Sequence, residues 1–259
     1  MSRAGALVRF LWPPLLALLI FLLVWEGVAR AGWFPKFLLP GPAAVWEAFL
    51  ARPGLVAQHA SATMSIAVVG YALGAAVGLA AAFALHLIAP LRRALAPLLL
   101  LSQNVPVVVL APLLAVWFGF GWTPKLILLT LVCFFPVAIA AMDGLARADR
   151  AMAEYLRMAG ATRWQTFRKL ELPWSLPSVF SGLKVSAAYS VLGAVISEWV
   201  GAKRGLGIYL NLMHSSFQVA HMFVAIFVIA ALSLAMFGLV ALVERRVIRW
   251  HGAREGERR

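Results

Sequence analysis

Side chains able to do chemistry are scarce in this chain, and those inside apolar runs fall in two places. Ser186, Tyr189, Ser190, Ser197 and Glu198 interrupt one run, the first four at steps of 3, 1 and 7. On a helix those four share one side. Such a stripe can hydrogen-bond a passing solute, or it can bond one helix to the next. Gly182, Ala187 and Gly193 would permit close helix approach. In the second place, Ser102, Gln103 and Asn104 precede Pro106. Proline lacks an amide donor and frees a carbonyl, so Gln103 and Asn104 beside the break are candidates for lining a path, with inter-helix bonding as the alternative. Glu198 is either a gate or solute contact, or an ion-pair partner of Lys203 or Arg204. Lys184 is expected to snorkel toward headgroups. No Ser/His/Asp set and no paired carboxylates are present, so no catalytic residue is assigned. His214 and His221 lie seven apart without a neighbouring carboxylate, so no metal site is assigned either. Cys133 is the one cysteine. It reads as a buried structural thiol and excludes an intrachain disulfide framework.

The elements that must position these groups are apolar on a scale that water does not favour. Hydrophobic residues make up 63% of the 259, with mean hydropathy +0.89, against about 45–50% in soluble domains. Six stretches are long enough for spans, roughly 10–28, 61–88, 95–119, 126–142, 177–200 and 222–243. Only helices satisfy their backbone one segment at a time in lipid. An all-α membrane protein of six transmembrane helices follows, a single domain over 1–259. The formal net charge of +13 would suggest nucleic acid in a soluble protein. Here the basic residues fall between spans, so no nucleic-acid partner is expected. With the N-terminus inside, sixteen Lys and Arg lie on the inner side and six on the outer, which predicts that both termini are cytoplasmic. Ala29-Arg30-Ala31 has the form of a cleavage site, but the preceding stretch exceeds the usual signal core. The first span is expected to be retained.

One segment, about 143–177, is out of character. Met152, Tyr155, Leu156 and Ala159 fit one helix face, and Gly160 suits a left-handed helix end. Trp164, Phe167 and Leu170 continue at steps of three on a second short helix, with Arg163, Arg168 and Lys169 off that face. Pro173 and Pro177 are expected to stop this helix before the next span. A docking loop fits, with Trp164 and Phe167 as aromatic anchors. A membrane-surface helix with basic residues against anionic headgroups is the alternative.

The pattern E-x5-G-A-x5-F-x2-L-x-L-P-x3-P is met by Glu154, Gly160, Ala161, Phe167, Leu170, Leu172, Pro173 and Pro177. It resembles the cytoplasmic loop of permease subunits of bacterial binding-protein-dependent ABC importers. Tyr155-Leu156 stands where that family usually has Ala-Ala. The likeness runs over about 61–250, and "SEWVGAKRGLGIYL" is similar to the nitrate, sulfonate, taurine and pyrimidine-precursor branch. The resemblance implies the type I importer permease fold, a five-helix core plus an N-terminal helix, in the bacterial inner membrane. It implies a second permease copy, two copies of an ABC ATPase subunit that carry the ATP and Mg, and an external substrate-binding protein. The resemblance also implies that Glu154, Tyr155, Gly160, Ala161, Trp164, Phe167, Leu170, Leu172, Pro173 and Pro177 form the ATPase-coupling loop. Independently, the chain has no G-x4-G-K-[ST] phosphate loop, so no cofactor of its own is expected. Relatives handling sulfonates tend to carry Arg-Pro where this chain has Gln103-Asn104. The amides point instead to a thiamine-pyrimidine precursor or a riboflavin-like heterocycle. A sulfonate, taurine or nitrate importer and a membrane enzyme acting on a lipid-linked substrate are the alternatives.

Overall fold

Long apolar runs with no water to bond must close their backbone hydrogen bonds within each segment, and every regular element among the described residues is helical. The computed structural model describes residues 3–248 apart from 34, 36, 37 and 103. In chain order the helices are α1 (Arg3–Arg30), α2 (Pro42–Ala51), α3 (Pro53–Leu87), α4 (Ala89–Ser102), α5 (Val107–Phe118), α6 (Trp122–Ala146), α7 (Arg150–Met158), α8 (Arg163–Thr166), α9 (Leu172–Glu198), α10 (Leu206–Ser215) and α11 (Val219–Val247). A π-helical turn, Phe167–Glu171, joins α8 to α9.

Five segments are long and apolar enough to cross a membrane: Trp12–Arg30, Pro53–Leu87, Trp122–Ala146, Arg163–Glu198 and Val219–Val247. They correspond to five of the six predicted stretches. The third stretch differs. It is split into α4 and α5, of 14 and 12 residues, or about 21 and 18 Å, so neither half alone covers a core of about 30 Å. The cause is Pro106. It sits extended at the N-cap of α5, with φ −65° and ψ 117°. It also disfavours the helical conformation of the residue before it.

The chain packs as two units, one of residues up to 58 with 209–228 and one of 59–208 with residues from 229 on. In the first, Val45, Ala48 and Val56 pack with Tyr209, Met213, Val224 and Ala225. Trp25 lies 5.4 Å from Phe223. The second unit is organised on the α6–α9 pair. Small residues bring these helices together: a Cβ on Gly182 would lie 2.6 Å from the Pro136 carbonyl oxygen. Ala187, Val191 and Ala194 of α9 are buried in the same core as Leu129 of α6, Ala67 of α3 and Val240 of α11. Lys184 does not snorkel. Its Nζ donates to Glu244 Oε2 at 2.7 Å, pairing α9 with α11.

Candidate functional site

The segment between α6 and α9 is a braced platform. Asp149 caps α7, its side chain accepting from the Met152 amide at 3.2 Å. Nine residues are too few for an isolated helix, so the ends matter. At the far end the Ala161 amide donates to the Leu156 carbonyl and the Gly160 amide to the Arg157 carbonyl, both at 2.9 Å. This is a Schellman closure. It places Gly160 at φ +86°, while a Cβ there would meet nothing within 4 Å. The requirement for glycine is therefore conformational rather than steric. Thr162 then starts α8 with a capping box: its amide donates to Gln165 Oε1 at 2.8 Å, and the Gln165 amide donates to Thr162 Oγ1 at 3.2 Å.

Contrary to the sequence expectation, Pro173 and Pro177 do not stop this second helix. Arg163 to Glu198 is one helical segment of 36 residues. The π turn shifts the hydrogen-bond register just before Pro173, with the Leu172 amide donating to the Phe167 carbonyl. The wider turn accommodates a residue that has no amide hydrogen to place.

Phe167, expected as a docking anchor, is only 2% exposed. It packs on Phe83, His86 and Trp164, with ring centroids 5.5, 6.1 and 5.3 Å away. Beside it lies a polar cluster that sequence reasoning missed. Arg163 Nη1 donates to Glu171 Oε1 at 2.6 Å, and His86 Nε2 lies 2.8 Å from Glu171 Oε2. Arg163 Nη2 donates to the His86 carbonyl at 3.2 Å. Glu171 is buried. These bonds tie the end of α3 to the start of the Arg163–Glu198 segment. Only the Glu between two leucines hinted at them. Met152, Tyr155, Met158 and Trp164 are exposed, as are Glu154 and Gly160. Ala161, Leu170, Leu172, Pro173 and Pro177 are half-buried.

The proposed path residues do not form one group. Gln103 lies outside the described residues. Asn104 is exposed, its Nδ2 donating to the Leu101 carbonyl at 3.3 Å. Ser186 and Ser190 are fully buried. Ser186 Oγ donates to the Cys133 carbonyl at 2.9 Å while Cys133 Sγ donates back to the Ser186 carbonyl at 3.7 Å. Ser190 Oγ donates to the Ala187 carbonyl at 2.8 Å. Both serines serve the α6–α9 seam and its backbone. Tyr189 is half-exposed, on a face with Val185 and Leu192.

Glu198 pairs with neither Lys203 nor Arg204. It is fully buried, and its Oε2 accepts from the Gly207 amide at 2.8 Å. The adjacent Leu206 amide donates to Thr63 Oγ1 at 2.8 Å, and the Gly205 amide to His59 Nδ1 at 3.0 Å. A carboxylate and a hydroxyl thus cap the start of α10. Lys125 is buried as well. Gly205 has φ +138°, and a Cβ there would run into the Glu198 carboxylate. The capping roles of His59 and Thr63 have no signal in their own neighbourhood, since both lie more than a hundred residues from this loop. Among the described residues no group of three or more His, Cys, Asp or Glu could hold a metal.

The segment between α6 and α9 is thus an amphipathic platform carried on spanning helices. Residues 74–249 match the family described as the binding-protein-dependent transport system inner membrane component, and the chain belongs to that family. It is 36% identical over 258 residues to the riboflavin transport system permease protein RibX of Chloroflexus aurantiacus, covering 97% of this chain and 96% of the relative. It is 33% identical over 238 residues to the formylaminopyrimidine transport permease protein ThiX of Halalkalibacterium halodurans, covering 92% and 95%. It is 29% identical over 243 residues to the taurine transport system permease protein TauC of Escherichia coli, covering 91% and 88%. A solved structure of the MetNI methionine ABC transporter, inward facing, is similar with a TM-score of 0.67 at 20% identity, over 76% of this chain and 98% of that one. That likeness concerns the fold alone. The protein is a multi-pass inner-membrane permease subunit of an ABC importer, with the type I permease fold, and is not itself an enzyme.

Proposed function

We propose that this permease carries a small heterocyclic solute, of the riboflavin or thiamine-pyrimidine class, handed over by an external binding protein. The platform of α7 and α8 docks on the ATPase subunit, which binds ATP and Mg. Two permease copies and two ATPase copies make the complex, with both termini in the cytoplasm. The exposed apolar side of α7 is the observation that supports docking. Met152, Tyr155 and Met158 are 47%, 63% and 81% exposed on a helix too short and too charged to enter lipid. The capping bonds and the Arg163–Glu171–His86 cluster hold this face rigid on α9, so tilting of the span moves it as a body. Coupling then arises if ATPase states interact differently with the two span arrangements.

The solute class draws on the riboflavin and formylaminopyrimidine relatives, the more similar of those named above. It also draws on Asn104 and Tyr189, neutral polar groups suited to a neutral heterocycle. The test is ATP hydrolysis by the complex in lipid vesicles with its loaded binding protein. Riboflavin or a formylaminopyrimidine should stimulate hydrolysis. Stimulation by taurine alone would move the protein to the sulfonate class and leave the docking proposal intact.

A further inference from the structure

A cleft of about 350 Å³ lies behind α7, at the ends of α3 and α6. Its wall includes Arg92 from α4, Arg150, Glu154 and Arg157 from α7, and Arg163 with Glu171. On a helix, positions 150, 153, 154 and 157 share one side, and 152 and 155 lie on the opposite side. So α7 has two working faces, an apolar one outward and a cationic one over the cleft. Glu171 already engages Arg163. Among the described residues, no ion pair or side-chain hydrogen bond engages Arg92, Arg150 or Arg157. Three guanidinium groups therefore share one concavity with a single free carboxylate, Glu154. Like charges gathered this way repel unless an anion joins them.

We propose that this cleft is an anion site for a phosphate group, and that the group is the headgroup of an anionic phospholipid. Two features define the ligand. Guanidinium forks match phosphate oxygens in pairs. The excess of two positive charges suits a phosphate and disfavours a neutral or cationic group. Depth points to lipid. His86 lies in the last turn of α3, and Leu145 and Ala146 close α6, so the cleft opens where the hydrocarbon-crossing helices end and headgroups begin. Basic pockets between span ends are where acidic headgroups lodge. A bound headgroup would neutralise the inner face of α7 and fix its height above the bilayer. Lipid composition would then tune how firmly the docking platform is held. A free phosphate or a nucleotide phosphate presents the same chemistry from the aqueous side.

The experiment uses the full-length chain, delipidated in neutral detergent at low salt. Binding is measured for dihexanoyl phosphatidylglycerol, dihexanoyl phosphatidylcholine and inorganic phosphate. Phosphatidylglycerol should bind saturably and phosphatidylcholine should not. Replacing Arg92, Arg150 and Arg157 with Gln should weaken binding by at least about tenfold. Replacing Arg93, Arg168 and Arg245 with Gln, which removes equal charge from outside the cleft wall, should change it little. Phosphate binding with the same arginine dependence, and none by the lipid, keeps the site and assigns it to a soluble ligand. Equal losses in both triple variants overturn the proposal, because the arginines then act only through diffuse charge. If neither probe binds, and only added ATPase subunit shields the arginines from phenylglyoxal, the cleft belongs to a protein partner and the proposal is likewise overturned. Should the cleft triple variant fail to fold, Glu154→Gln decides. It removes the one free carboxylate and should tighten phosphatidylglycerol binding about threefold. Unchanged or weaker binding would contradict the site.

Discussion

Replacing Gly160 separates backbone conformation from every contact around it. Its φ is +86°, and a Cβ would meet nothing within 4 Å. No clash therefore confuses the outcome. The cost is that of holding an L-residue in the left-handed region, about 1–2 kcal/mol for alanine and up to about 3 kcal/mol for a β-branched side chain. This falls on a nine-residue helix held by one Asp149 cap worth about 1 kcal/mol and by the Schellman bonds that need this φ. A loss near 2 kcal/mol shifts a local opening equilibrium about thirtyfold. Gly160→Val should therefore speed hydrogen exchange of the α7 amides by about that factor. Exchange across Val179–Val195 in α9 should stay unchanged. Gly160→Asn should have a few-fold effect at most, since asparagine visits this region readily. Equal protection in Val and Gly proteins, or equal loss in Val and Asn proteins, would refute the claim that the left-handed turn holds α7.

Three further outcomes follow from the geometry. Glu171→Ala removes the carboxylate shared by Arg163 and His86 and should cost about 1–3 kcal/mol, read as earlier thermal unfolding of the purified chain. Gly205→Ala drives a Cβ into the buried Glu198 carboxylate at φ +138°. It should cost more than Gly160→Ala, which meets no neighbour, and the same melts would show the order. A reporter active only outside the cytoplasm should be silent at the C-terminus and active when inserted at Leu39, in the loop between α1 and α2. The reverse pattern would overturn the proposed orientation.

The spans were legible because lipid makes apolar length decisive, and the turn at Gly160 because glycine ends a helix in a recognisable way. The break in the third stretch was not legible because hydropathy averages across Pro106, while the backbone cannot. Pro173 misled in the other direction. Proline breaks an α-helix, but a π turn one residue upstream absorbs it, and nothing in side-chain type announces that turn. Ser186 and Ser190 show a different gap. A serine stripe fits a solute path and a helix seam equally well, and only the position of Cys133 and α6 decides. Phe167 was rightly grouped with Trp164 but wrongly turned outward, because its partners Phe83 and His86 lie some eighty residues away. The buried Glu198 was read with its nearest cations in sequence, whereas the bond it makes is to a backbone amide in the following loop.

Docking of α7 on the ATPase subunit is tested most directly by a cross-link. Cys133 is the one cysteine and is buried, so Met158→Cys offers a unique accessible thiol at a position 81% exposed. In the assembled complex in lipid, a thiol-anchored photoreactive label at 158 should join this chain to the ATPase subunit, while one at Leu234 on α11, 71% exposed, should label lipid. An ATPase that co-purifies and supports ligand-stimulated hydrolysis, yet never cross-links from position 158, would contradict it.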